Sequence, residues 1–235
     1  MMLAPIDTSD KVFSITPSAM SVGAVSSLPG FRLGSGVTLG VRSETAYGTT
    51  ANVFGANSGS GDFVEPLFET VASGRDVVVT TWSRIGHMFL RCDRAHGTGI
   101  RIEWNGFSSN GELKVYWAKN IPSTPADIVP ADGIYTTELF NTNSIASHVT
   151  GWNPSSTAGD QYEFSLIGSV LTIKWNGQTI WTANNIWFCP PGTVLYAPGG
   201  ASGAIRDTTI TFKPSVVSYT DQDNRIIDFR DWGLK

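Results

Sequence analysis

Short β-type runs recur along most of this chain at intervals of roughly ten residues, and they constrain its fold more than any other feature. Each run is bounded by Gly, Asn, Asp or Pro, which supply positive φ or fix a turn. No segment carries a helical hydrophobic period, although 136–140 allows one short helical turn. The sequence therefore predicts an all-β, antiparallel β-sandwich. The clearest runs are 76–82, 87–92, 99–104, 112–118, 162–167, 170–175, 179–181, 194–197 and 208–212.

Hydrophobic and polar residues alternate within these runs. The segment 100–104 (IRIEW) places three apolar side chains on one strand face and two charged ones on the other. Such alternation is typical of a strand with one buried and one solvent-facing side. The segments 102–106 (IEWNG) and 173–177 (IKWNG) nearly repeat each other, and both end on Asn-Gly, which favours a tight hairpin turn. We interpret the repeat as the same turn chemistry arising twice, with internal duplication as the alternative.

Composition divides the chain into three parts. Residues 1–62 are rich in Ser, Gly, Ala and Thr and predict an extended N-terminal arm with short strands. Residues 63–213 contain most of the β-type runs and predict the sandwich, within which the proline-containing segment 120–151 predicts a long wrapping connection. Residues 214–235 predict a connector to a following domain.

Charge and hydropathy argue against several functions. Only 15% of residues are charged, against roughly 25% in an average soluble domain, so Ser, Thr, Asn and Gly must form much of the surface. The net charge of -4 provides no positive field for neutralising phosphates, and no nucleic-acid partner is expected. No segment approaches the roughly 18 apolar residues of a membrane span, and the N-terminus lacks a signal-peptide pattern, so no membrane insertion is expected.

The cysteines, histidines and carboxylates do not predict a metal site or a cofactor. Cys92 and Cys189 lack a C-x-x-C spacing, and a long-range bridge between them stays open. His87, His96 and His148 share no local metal-binding spacing. Loop residues of a jelly roll could bind calcium, but solvated side chains are the favoured interpretation because no D-x-D-x-D loop is present. The residues considered for calcium are Asp160, Asn176, Asp207 and Glu69.

The acidic residues do not favour catalysis. A retaining glycosidase needs two carboxyl groups about 5 Å apart, which same-face carboxylates on one strand could supply. Glu103, Glu112 and Glu163 each lack an acidic residue two or four positions away, and no E-x-D-x-x-E or G-x-S-x-G pattern occurs. We therefore expect a non-catalytic protein, with a glycosidase or polysaccharide lyase on the same fold as the alternative.

Eight tryptophans make aromatic side chains the main candidates for binding. Exposed Trp and Tyr rings stack on the apolar faces of sugars, while polar neighbours bind the hydroxyl groups. Trp104 and Trp175 follow the apolar faces of their strands, which predicts core packing. Tyr116 and Trp117 are adjacent on one strand, so one of them must face outward. Trp152 lies in a predicted loop, where packing demands less. The predicted ligand-binding residues are Trp152, Trp117, Tyr116 and Asn153.

Two segments carry a resemblance to known families. The segment 162–181 (YEFSLIGSVLTIKWNGQTIW) resembles the paired strands of concanavalin A-like, or laminin G-like, jelly rolls. The segment 226–235 (IIDFRDWGLK) resembles the junction that leads into a β-helix in bacteriophage tail spikes, and the Gly/Ser-rich arm fits the N-terminal module of such a spike or tail fibre.

The tail-spike resemblance implies a homotrimer in the virion tail, synthesised in the cytoplasm of the bacterial host. It implies as partners other phage tail or baseplate proteins and bacterial surface polysaccharide. The expected function is therefore that of a non-catalytic structural or adhesive module for virion attachment, for host glycan binding, or for both.

Overall fold

The computed structural model shows a protein built almost entirely of β-strands. Within the part of the chain that it describes, the only helical elements are two single 3-10 turns, Pro17–Ala19 and Ile145–Ser147. None of the described helices is long and apolar enough to cross a membrane. The structure describes residues 9–33, 39–46, 49–56, 68–83, 85–106, 109–121, 135–152, 161–186, 190–198, 205–214, 216–220 and 226–230.

Within the described residues, sheet A contains nine strands. They follow one another in the order β14-β13-β12-β7-β16-β5-β4-β2, and β1 also pairs with β16. Their bounds are β1 (Lys11–Ile15), β2 (Gly23–Ala24), β4 (Leu39–Ala46), β5 (Thr49–Ala56), β7 (Asp76–Ser83), β12 (Gln161–Ile167), β13 (Val170–Trp175), β14 (Gln178–Ala183) and β16 (Ile205–Lys213).

Sheet B contains seven described strands, in the order β11-β10-β9-β8-β15-β6-β3. All described pairings in both sheets are antiparallel, which confirms the predicted antiparallel sandwich. The bounds are β3 (Phe31–Leu33), β6 (Phe68–Thr70), β8 (Ile85–Asp93), β9 (Thr98–Asn105), β10 (Glu112–Lys119), β11 (Tyr135–Thr142) and β15 (Thr193–Pro198). A separate hairpin is formed by β17 (Val216–Thr220) and β18 (Ile226–Arg230).

The hydrophobic core lies between the inward faces of the two sheets. Strand β7 alternates regularly between half-buried and buried residues, and its inward Val77 and Val79 are fully buried. Trp104 of sheet B packs its ring 5.0 Å, centroid to centroid, from that of Phe164 in sheet A. Trp104 and Trp175 are only 2% and 3% exposed, which confirms that both belong to the core.

A buried group of hydroxyls links the two sheets through the core. The Tyr196 hydroxyl of sheet B lies 2.8 Å from the Thr81 hydroxyl of sheet A, and Thr81 is also 2.8 Å from Thr208 on the neighbouring strand. Burial raises the pKa of Tyr196 far above its usual value, so the phenol stays protonated. Because buried polar groups are costly unless hydrogen-bonded, this network fixes how β15 sits over β7 and β16.

Arg91 connects the sheets at one end of the sandwich. The register between β8 and β9 shifts after Leu90, and Arg91 has a φ of 48°, so its side chain leaves the regular alternation of β8. The guanidinium group donates to the carbonyl oxygen of Gly168 at 2.6 Å and to that of Arg75, and it lies 3.6 Å from the Asp76 carboxylate. Asp76 in turn accepts the Gly168 amide at 2.8 Å, which ties the β12–β13 turn to β7.

The structure differs from the sequence predictions in two places. Residues 136–140, where a short helical turn was an option, lie within strand β11 at the edge of sheet B, because cross-strand pairing with β10 overrides local preference. Strands within the predicted arm 1–62 also pair into both sheets: β1 with β16, and β3 with β6. The high Gly and Ser content of this segment does not prevent its described strands from pairing.

Candidate functional site

A group of polar side chains converges on the outer face of sheet B, across strands β9, β10 and β11. In one cross-strand row Tyr116 lies between Arg101 and Glu138, and in the next row Lys114 lies between Glu103 and Asn141. Neighbours within a row are about 5 Å apart, and the rows are about 7 Å apart along the strands. We call this surface the Tyr116 face, and its six residues are Arg101, Glu103, Lys114, Tyr116, Glu138 and Asn141.

The composition of the Tyr116 face follows from strand alternation and one irregularity. On β9 and β10 every second side chain points away from the core, which orients Arg101 and Glu103 like Tyr116. In the pairing of β10 with β11, Val115 faces Phe140 but Tyr116 faces Glu138, so Leu139 has no partner across the ladder. This bulge brings Glu138, rather than Leu139, opposite Tyr116.

Arg101 is held from two sides. Its guanidinium group forms an ion pair with Glu103 on the same strand, and it lies 6.0 Å from the centroid of the Phe89 ring on β8. The side chains of Arg101 and Glu103 are 12% and 26% exposed, so the pair is partly shielded from water. The positive charge of Arg101 is therefore compensated within the face, and its planar group is fixed in orientation.

Tyr116 is kept in its neutral form by its surroundings. Partial burial raises the pKa of the phenol, and the carboxylates of Glu103 and Glu138 raise it further, while Arg101 opposes them. The neutral hydroxyl can both donate and accept a hydrogen bond. Tyr116 and Lys114 are half-buried, whereas Glu138 and Asn141 are exposed, and the Asn141 amide donates to Glu138 at 3.0 Å.

Beside the Tyr116 face, the outer side of β8 is buried. His87, the cross-strand neighbour of Glu103, is 2% exposed, and burial together with Arg101 lowers its pKa to about 3. His87 is therefore neutral at physiological pH. Phe89, Leu195 and Ala118 belong to a second hydrophobic cluster that also contains Cys92 and Ile121. This cluster lies beside the β9 edge of the Tyr116 face, on the same side of sheet B, since Phe89 is the cross-strand partner of Arg101.

The structure describes three of the four residues predicted to bind ligand, and it does not bring them together on one surface. Tyr116 lies on the outer face of sheet B, whereas Trp117 points toward the core and its ring is covered by the Lys119 ammonium at 4.3 Å. Trp152 is half-buried and packs against Trp175, with ring centroids 5.1 Å apart. Asn153 lies outside the described residues. Tyr116 and Trp152 are therefore not parts of one binding surface.

A second aromatic pair was not evident from the sequence. Trp181 on β14 and Phe140 on β11 stack with ring centroids 4.8 Å apart and an interplanar angle of 16°. These strands are the neighbouring edges of sheets A and B, so the pair connects the sheets along one side. The sequence shows the two aromatic residues but not their contact, because the contact depends on how the two sheets pack.

Three other acidic residues that were considered for catalysis or calcium binding form contacts outside the Tyr116 face. Glu163 binds Lys174 at 2.8 Å on the outer face of sheet A, Glu69 lies 3.2 Å from Arg94, and Asp207 accepts the Ser18 hydroxyl at 2.9 Å. Among the residues that the structure describes, no group of three or more His, Cys, Asp or Glu side chains could hold a metal ion. Asp160 and Cys189 lie outside those residues. A calcium ligand at Asp160 and a bridge between Cys92 and Cys189 are therefore untested.

Comparison with known proteins shows a similarity of architecture. No protein-family model and no curated protein sequence matches this chain. Carbohydrate-binding module CBM66 from Bacillus subtilis has a TM-score of 0.43 at 12% identity, over 78% of this chain and 92% of that one. A prokaryotic β-1,3-1,4-glucanase (lichenase) derived from a mouse hindgut metagenome has a TM-score of 0.38 at 11% identity, over 86% and 98% of the two chains.

A third similar structure is the κ-carrageenase from Pseudoalteromonas carrageenovora, with a TM-score of 0.37 at 11% identity over 90% of this chain and 98% of that one. At such scores and identities the similarities carry no argument about function. None of these three structures is a phage tail spike. The structural comparisons therefore concern the β-sandwich, and the function has to be argued from this chain's own surface.

Proposed function

We propose that this chain is a glycan-binding β-sandwich module whose ligand contacts the Tyr116 face. The observation that supports this most directly is the position of Tyr116 in a row between Arg101 and Glu138, on three adjacent strands of sheet B. A sugar presents an apolar ring face and a rim of hydroxyl groups. An aromatic ring surrounded by hydrogen-bonding groups is complementary to both.

The polar groups around Tyr116 supply donors and acceptors in close alternation. Arg101, Lys114 and Asn141 donate, whereas Glu103 and Glu138 accept. Because hydroxyl groups act as both donor and acceptor, neighbouring hydroxyls of one sugar can bind to groups of opposite kind on this surface. A flat sheet face also leaves room for a ligand longer than a single sugar ring.

The rigidity of the surface also favours binding. Strands β9 and β10 are paired on both sides, and Arg101 is fixed by Glu103 and Phe89. Side chains that are already ordered lose little conformational entropy when a ligand binds. The Tyr116 face can therefore bind a sugar without rearranging its backbone.

Glycan-array screening followed by calorimetry of wild type and Tyr116→Ala tests the proposal. We expect wild type to bind a glycan and Tyr116→Ala to lose at least about tenfold in affinity, since stacking and hydrogen bonding are lost together. Thr80→Ala, on the outer face of sheet A, is the control and should bind like wild type. Thermal unfolding would show that both variants fold. Unchanged affinity of Tyr116→Ala, or loss only in Trp152→Phe, would refute the assignment to this face.

We also propose, from the sequence resemblance, that the module belongs to a phage tail spike or tail fibre, where it serves virion attachment or host adhesion. This proposal expects a homotrimer in the virion tail. Sedimentation analysis of the purified chain should then give three times the monomer mass, and a clean monomer at micromolar concentration would count against it.

One observation favours a glycosidase or lyase as the second candidate function. Tyr116 is a protonated phenol with the carboxylates of Glu138, across the ladder, and Glu103, in the next row, nearby, and such a group could act as a general acid toward a bound glycan. Incubation with the bound polysaccharide and analysis of chain length would detect cleavage. In that case Tyr116→Phe should abolish cleavage while it keeps the stacking contact; an uncleaved polysaccharide would leave binding as the function.

A further inference from the structure

We infer that the ligand of the Tyr116 face is a neutral, hydroxyl-rich glycan and that acidic polysaccharides, such as uronate-containing or sulfated chains, are rejected. The inference rests on the proposed function, because it specifies the ligand class of the same site. Its basis is the charge arrangement around Tyr116.

The cations of this face are matched by carboxylates. Arg101 is paired with Glu103, and Lys114 is the cross-strand neighbour of the same Glu103. Glu138 adds a second carboxylate opposite Tyr116, and Glu112 faces outward on β10, in the same direction as Lys114. The face itself carries two cations and two carboxylates, and the neighbouring Glu112 adds a third carboxylate, so an anionic ligand would have to approach at least one of them.

Charges farther away act in the same direction. The whole chain has a net charge of -4. The net charge of the chain therefore provides no overall attraction for an acidic polymer, whereas a neutral glycan incurs no repulsion.

The hydrogen-bonding chemistry also favours hydroxyl groups. The exposed Glu138 and the partly exposed Glu103 can only accept hydrogen bonds when ionised, so they require donors from the ligand. Sugar hydroxyls provide these donors, whereas carboxylate and sulfate groups do not. Neutral hydroxyls also cost less to remove from water than ionised groups.

Isothermal titration calorimetry with a neutral glucan and its carboxymethylated derivative tests the inference directly. Neutral and acidic glycans that bind on the array are titrated in the same way. We expect wild type to bind neutral glycans at least about tenfold more tightly than matched acidic ones, since like charges in contact are strongly disfavoured. Affinity for the neutral ligand should change by less than about twofold between 0.1 and 1 M salt, because few charges are neutralised on binding.

Glu103→Gln sharpens the test, because it removes the carboxylate that compensates Arg101 while preserving side-chain size. We expect this variant to gain at least about fivefold in affinity for the acidic ligand at low salt, since one repulsive charge is removed and one attractive charge becomes available. Glu163→Gln is the matched control: it releases Lys174 from an equivalent ion pair on the opposite face and should bind the acidic ligand no better than wild type.

Tighter binding of acidic than of neutral glycans by wild type would overturn the inference and leave the proposed function intact. An equal gain of acidic binding in Glu103→Gln and Glu163→Gln would overturn it too, because the effect would then come from net charge alone. Absence of binding to any glycan of either class would instead refute the proposed function itself.

Discussion

Acidification should destabilise this protein through His87. The imidazole is fully buried beside the Tyr116 face, and burial, with a smaller contribution from Arg101, lowers its pKa from 6.5 to about 3. The unfolded chain takes up a proton at this side chain as the pH falls through 6.5, whereas the folded protein excludes that proton until about pH 3. Stability is therefore fully present above the unfolded pKa and is lost progressively as the pH falls toward the folded one.

The magnitude follows from the size of the shift. Between pH 6.5 and 3 each pH unit should cost about 1.4 kcal/mol of unfolding free energy, because one additional proton binds to the unfolded chain. From pH 7 to pH 4 the loss from His87 alone is then about 3 kcal/mol, a large fraction of the roughly 5–15 kcal/mol by which most domains are stable.

Urea unfolding of wild type and His87→Gln at pH 7, 6, 5 and 4 measures this loss. Glutamine does not titrate, and the carboxylates are the same in both proteins, so their contributions largely cancel in the difference. We expect the unfolding free energy of His87→Gln to rise relative to that of wild type by about 1.4 kcal/mol for each pH unit below pH 6. Parallel stability curves, or an imidazole NMR titration of the folded protein with a midpoint near 6.5, would refute the reasoning.

Three further substitutions test the packing. Gly192→Ala should destabilise by about 1–3 kcal/mol in thermal unfolding, since its Cβ would lie 2.5 Å from the backbone carbonyl carbon of Arg91; an unchanged melting temperature would contradict this. Arg91→Met should lower the free energy of unfolding in urea by about 3 kcal/mol or more, because it removes the guanidinium hydrogen bonds between the sheets. A loss under about 1 kcal/mol would mean that these bonds contribute little. Tyr196→Phe should cost about 1 kcal/mol by the same assay, since Thr81 keeps its bond to Thr208; a loss no larger than that of an exposed Tyr→Phe change would argue against the network.

The parts of the fold that were predictable from sequence are those determined by local chemistry. Alternation in 100–104 correctly assigns the inward and outward residues of β9, because the side-chain period of a strand is two. The turn between β13 and β14 is likewise formed by Asn176 and Gly177, with φ values of 45° and 79°, as the Asn-Gly dipeptide predicts.

The parts that were not predictable depend on the tertiary structure. The alternation of side chains along a strand cannot show that β8 is buried on both faces. The sequence therefore did not predict that His87 is buried. The bulge at Leu139 decides that Glu138 lies opposite Tyr116, and nothing in the local sequence marks it. Arg91 has a positive φ although neither a glycine nor an asparagine occupies the position, so its role as a connection between sheets could not be read from the sequence.

The central position of β16 in sheet A determines when the sandwich can be completed. This strand pairs with β7 on one side and with β1 and β5 on the other, so Phe212 contacts Lys11 across about two hundred residues of chain. Pairings between such distant segments are slow to form, because a long loop must close before any contact is gained. During synthesis the ribosome must therefore release almost the whole sandwich before sheet A can close. Until then, the edge of β7 that pairs with β16 stays unpaired and is exposed to wrong pairing.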